Sequence, residues 1–179
     1  MESKIIYNDE VLELCDDFTD VGYMAETIEV KDLAQKTKLI ERSSAERAMT
    51  LLVSFPHAKD AFTTEILVLD ELLSHIQVDL HCYLIFSEDG EDKTILKNRL
   101  KKFEMVFDEE NEYGSMYGTK LVSGSLEDKL TKALFLISKD GAIFYIDMPN
   151  DLNKPLDLDR LRIELNRAYT SYTGVGCHG

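Results

Sequence analysis

The apolar positions of this chain change period along its length. Lys4 to Tyr7 and Val11 to Cys15 lie on either side of Asn8-Asp9-Glu10, a turn-forming cluster, and together predict a small N-terminal hairpin. Thr27 to Val30 and Thr37 to Glu41 read as short strands. Met49 to Phe55 is mostly apolar, the pattern of a central strand covered on both faces. Phe62, Ile66, Leu69, Leu73 and Ile76 then recur at helical spacing and form one stripe. Val78 to Phe86 predicts a second central strand, Asp92 to Phe103 a basic, exposed helix, and Met105 to Phe107 a short strand. Asp108 to Asn111 reads as an acidic, solvated loop. Ala133 to Ile137 is joined through Ser138-Lys139-Asp140-Gly141 to Ala142 to Ile146, and Asp-Gly between two apolar runs predicts a hairpin. Pro155 precedes a last helix with Leu158, Leu161, Leu165 and Ala168 on one face.

This order places the chain in the α/β class. It predicts a central mixed sheet with helices on both faces, preceded by an N-terminal hairpin extension over residues 1–20. A length of 179 residues predicts a single domain, with a flexible, glycine-rich tail over 172–179.

Composition narrows the function classes. The chain is 44% hydrophobic and 30% charged, as soluble globular proteins are. Its formal net charge of -14 argues against nucleic acid or an anionic membrane as partner, because phosphate would be repelled. No apolar run is long enough to span a bilayer, and Met1-Glu2-Ser3-Lys4-Ile5 does not begin a signal peptide. Cys15, Cys82 and Cys177 are far apart and form no CxxC or zinc spacing, which predicts free thiols in a reducing, cytoplasmic setting. Neither a metal nor a cofactor is expected.

The candidate chemistry lies in Phe55-Pro56-His57-Ala58-Lys59-Asp60-Ala61-Phe62-Thr63, at the junction of an apolar strand and an amphipathic helix. Its spacing is similar to Pro-x-x-x-Thr-x-x-Cys, the active loop of peroxiredoxins. Val21-Gly22, Met116-Tyr117-Gly118, Gly124-Ser125-Leu126 and the stretch from Ala133 to Gly141 follow in the family's order. Over nearly its whole length the chain resembles an atypical two-cysteine thiol peroxidase of the peroxiredoxin superfamily. The resemblance implies a thioredoxin-like fold and a homodimer packed near the active loop.

It also implies a mechanism. In that family a thiolate in the first turn of a helix attacks a hydroperoxide and becomes a sulfenic acid. A resolving cysteine then forms a disulfide that thioredoxin reduces. A threonine and an arginine orient the peroxide.

This chain departs from the pattern at each of these positions. Pro56 is kept, but Thr63 stands at the peroxidatic cysteine, Asp60 at the orienting threonine and Lys132 at the arginine. Leu96 to Lys102, the expected place of a resolving cysteine, contains none. A threonine hydroxyl cannot cycle through a sulfenic acid, and lysine has no bidentate fork. The expectation is therefore a degenerate peroxidatic pocket with no catalytic residues and no use for the family's partner thioredoxin.

Two other readings stay open. One is an active peroxidase with a relocated cysteine, Cys82 or Cys177. The other is a non-enzymatic binding or dimer-partner protein. Asp60 and Thr63 also suit a helix start, and capping alone accounts for either. His57 is an ordinary loop histidine unless it faces a ligand, and Cys177-His178 supplies too few ligands for a metal. Asp60 and Lys132 either pair and plug the pocket, or turn away to cap the helix and to reach solvent.

Overall fold

The computed structural model describes residues 4–42 and 48–171. Lys4–Tyr7 (β1) and Glu10–Glu13 (β2) form an antiparallel two-stranded sheet of their own, as the turn cluster between them predicts. The main sheet has seven strands. Ile28–Lys31 (β3), Thr37–Ile40 (β4), Met49–Ser54 (β5), Leu80–Phe86 (β6), Glu104–Phe107 (β7), Ala133–Ile137 (β8) and Ile143–Asp147 (β9) lie in the order β4-β3-β7-β6-β5-β8-β9. β5 runs parallel to β6 and antiparallel to β8, and β6 is parallel to β7. The three continuous apolar runs are thus neighbours, and every residue of β5 and β8 is buried.

Strand alternation sorts the core onto two faces. Leu51, Val53, Leu84, Leu134 and Leu136 face one side, together with Phe62, Ile66 and Leu69 of the helix Ala61–Ser74 (α1) and Leu161 and Leu165 of the helix Leu158–Ser171 (α4). Leu52, Ile85, Phe135 and Ile137 face the other, against Tyr113 of the short helix Glu112–Met116 (α3) and against Tyr117 just beyond it. The Tyr117 hydroxyl donates to the Glu26 carbonyl and accepts from its N–H, which ties this segment to the chain before β3. Gly118 follows at φ +66, where a Cβ would run into the Asp17 carbonyl. Among the described residues no helix is long and apolar enough to cross a membrane.

Two segments differ from their sequence-based reading. The stretch from Asp92 to Phe103 is not one exposed helix. A helix covers only Glu91–Ile95 (α2), Asp92 is buried, and Asn98 takes a left-handed conformation that breaks the periodicity. The cause lies in α1. The buried carboxylate of Asp70 accepts the N–H groups of Lys101, Lys102 and Phe103 at 2.7–2.9 Å, which pulls that backbone out of a helical path.

Asp108 is the second difference. It is buried rather than solvated, and its carboxylate accepts the N–H groups of Tyr113 and Gly114 at 2.9 and 2.8 Å. Glu109 and Glu110 remain exposed.

Candidate functional site

The candidate site is where β5 ends and α1 begins. The loop between them is held from outside: the Ala58 N–H donates to Asp92 Oδ1 at 2.6 Å. His57 is half-buried, with its ring edge-on to Phe62 at 5.1 Å, and its Nδ1 accepts the Lys59 N–H at 3.2 Å. Burial lowers its pKa below the usual value, so the ring is neutral at pH 7.

Asp60 occupies the N-cap position of α1 but makes no side-chain cap bond. It is exposed, with φ 58 and ψ -133, a combination rare for any residue but glycine. Capping by its side chain, one of the two sequence-based readings, is therefore not what the structure shows. Thr63 lies in the first turn, half-buried, and its hydroxyl donates back to the Ala58 carbonyl. That bond closes the loop on itself and uses the hydroxyl proton.

Lys132 precedes β8 and is 1% exposed, so it does not reach solvent. It does not pair with Asp60 either. Its Nζ is 2.6 Å from Glu65 Oε1, 3.0 Å from the Leu152 carbonyl and 2.6 Å from the Lys154 carbonyl. An ammonium has three N–H donors, and all are used. Glu65 Oε2 accepts the Leu156 N–H at 2.8 Å. The rings of Phe55 and Phe62 lie 5.7 and 5.3 Å from Nζ and favour a cation there.

Glu65 is the functional-site residue that the sequence reading missed. It falls three residues after Phe62 on α1, beside the buried stripe, and that spacing was the available signal. A cleft of about 240 Å³ opens nearby, lined by Tyr7, Asp60, Phe62, Glu65 and Leu152 among others, but not by Thr63 or Lys132.

The cysteines are dispersed. Cys82 is buried in β6, and burial pushes its thiol up to about 12. Cys15 is half-buried, and its Sγ donates to the Gly114 carbonyl at 3.5 Å. Cys177 and His178 lie outside the described residues. Among the described residues no group of three or more His, Cys, Asp or Glu could hold a metal ion.

No family profile and no curated protein matches the sequence. Solved structures do. A peroxiredoxin-like protein from Aquifex aeolicus superposes with a TM-score of 0.82 at 14% identity, covering 93% of this chain and 97% of that one. A thiol peroxidase from Chromobacterium violaceum gives 0.81 at 15% identity, with 93% and 97% covered. The chain has the thioredoxin-like fold of peroxiredoxins. The mitochondrial 2-Cys peroxiredoxin from Plasmodium falciparum is more distant, with a TM-score of 0.63 at 14% identity over 88% of this chain and 99% of that one. The similarity in fold thus extends over most of the chain at a sequence identity of only 14–15%. Scaffold and chemistry are therefore separate questions here.

Proposed function

We propose that this chain is a thiol-peroxidase relative that has given up peroxide reduction and acts by binding, as a homodimer in the cytoplasm. The observation that carries the reading is Lys132 locked to Glu65 and two carbonyls. Peroxide reduction by a thiolate needs a sulfur to attack one peroxide oxygen, so that an S–O bond forms as the O–O bond breaks, the sulfur becomes a sulfenic acid, and the other oxygen leaves and takes up a proton. It also needs a donor that stabilises the departing oxygen. Thr63 offers no sulfur, its hydroxyl is turned to Ala58, and the buried Lys132 ammonium has no donor to spare. Asp60 adds a negative charge at the loop's rim. Thioredoxin has no disulfide to reduce at this site.

The test is direct. Stoichiometric hydrogen peroxide or an organic hydroperoxide should leave the intact mass unchanged over the time a peroxidase needs for turnover. A thioredoxin-coupled assay should stay at background. Turnover by the unaltered chain, with a sulfenic acid at an identified cysteine and loss of activity on Cys82→Ser or Cys177→Ser, would overturn this reading and establish a relocated nucleophile. The high pKa of the Cys82 thiol weighs against that outcome.

A further inference from the structure

A groove of about 580 Å³ runs between β9 and α4, on the part of the sheet away from β4. Val21, Phe144 and Tyr145 supply its apolar surface, and Arg160, Glu164 and Arg167 supply its polar wall. The three polar residues recur at i, i+4 and i+7, which places them on one face of α4. Glu164 is 3% exposed and binds both guanidinium groups. Arg160 Nη2 is 2.7 Å from its Oε2, and Arg167 Nη1 is 2.9 and 3.0 Å from Oε1 and Oε2. Sharing one oxygen brings the two guanidinium ends within reach of a single anionic group.

Neither arginine is used up. A guanidinium carries five N–H donors in a planar fork, and Glu164 engages only one terminal nitrogen of each. Arg167 also lies over the Phe144 ring, with its guanidinium carbon 5.9 Å from the ring centroid. Asp140, the other carboxylate on the rim, is turned onto the Ser138 hydroxyl and the Ala142 N–H. Asp147 and Asp157 lie near Tyr145. Burial, with those two charges, pushes the Tyr145 phenol up to about 12, so it remains a neutral donor. Asp140 and Glu164 are thus already hydrogen-bonded within the fold, and the remaining N–H donors of two half-exposed guanidiniums beside an aromatic floor are what the groove has left for an acceptor.

We propose that this groove binds a small organic anion, with a carboxylate or phosphate on Arg160 and Arg167 and a flat apolar body against Phe144 and Tyr145. Charged hydrogen bonds would set its orientation, and the aromatic surface would supply contact area. The site is distinct from the Thr63 loop, so the proposal does not depend on the fate of the peroxidase chemistry.

The probes are 2-naphthoate, 2-naphthyl phosphate and the neutral 2-naphthalenemethanol, titrated into unaltered isotope-labelled protein while amide shifts are followed. The expected result is movement of the amides of Phe144, Tyr145 and residues 160–167, with an anion bound at least about tenfold more tightly than the alcohol. That preference should shrink with added salt. Which anion binds tighter tells a carboxylate ligand from a phosphate one. Arg160→Gln and Arg167→Gln should each weaken the anion about tenfold. Arg162→Gln, on the opposite side of α4 beside Leu72 and Ile76, should not. Equal affinity for the alcohol, or shifts confined to other surfaces, would overturn the proposal.

Discussion

Lys132 and Glu65 are 67 positions apart in sequence and 2.6 Å apart in the fold, with the lysine closed off from solvent. The pair joins the start of β8 to the second turn of α1, and the carbonyls of Leu152 and Lys154 complete the lysine's shell. The Lys132 ammonium is, in this chain, a structural brace.

If so, removing the charge from one partner is costly and removing both is not. Lys132→Met should destabilise by about 2–3 kcal/mol, because Glu65 and two carbonyls lose their partner in a poorly solvated place. Lys132→Met combined with Glu65→Met should recover most of that loss. Urea denaturation of the single and double variants measures both. A single-variant effect within about 0.5 kcal/mol, the range of ordinary surface changes, would show that the pair is no brace.

The brace also bears on the proposed loss of peroxidase chemistry. Thr63→Cys places a sulfur in the first turn of α1, but Lys132 stays bound to Glu65 and Asp60 keeps its charge at the rim. The variant's thiol should react with hydrogen peroxide within about tenfold of free cysteine, measured by stopped flow with excess peroxide. Adding Asp60→Thr and Lys132→Arg should be necessary for any larger gain, and Glu65→Gln should add to it by freeing the cation. Fast oxidation of the Thr63→Cys protein alone would mean that neighbouring charges matter less than the helix terminus.

Asp60 tests the loop from the backbone side. A non-glycine residue at φ 58 and ψ -133 carries strain of order 1–3 kcal/mol, and its carboxylate makes no compensating cap bond. Asp60→Gly should therefore stabilise the protein by about 1 kcal/mol despite the extra freedom it gives the unfolded chain. A loss of stability would show that the aspartate contributes through its charge near the N-terminus of α1.

How much of this was legible beforehand follows from the range of each interaction. β5 and β8 could be read directly, because strands buried on both faces are mostly apolar runs, and β6 departs from that pattern only at the half-buried His81 and Tyr83. The N-terminal hairpin and α1 were equally local signals. Glu65 as the partner of Lys132, Asp70 as the anchor of residues 101–103 and Asp108 as a buried acceptor were not. The first two pairings join segments far apart in sequence, and a carboxylate beside an apolar stripe looks the same whether it faces water or a distant N–H. The loop's residues were visible one by one, while the bond from the Ala58 N–H to Asp92 that holds it from outside depended on tertiary packing.

Asp108 gives a prediction in pH. Burial raises its carboxyl from 3.8 to about 6, against the pull of the Tyr113 and Gly114 N–H groups and of the Lys120 charge. The native state therefore holds this proton more tightly than the unfolded chain does. Stability from this group is fully present below about pH 4 and is lost as pH rises through about 6. Other carboxylates titrate in the same range, so the useful quantity is the difference between the wild type and Asp108→Asn, whose side chain stays neutral throughout. That difference should move against the wild type by about 2–3 kcal/mol between pH 4 and pH 7.5, read from denaturation at each pH. A flat difference would mean that Asp108 keeps an ordinary carboxylate pKa. A difference that moves towards the wild type as pH rises would mean that the two N–H bonds outweigh burial and hold the carboxylate charged.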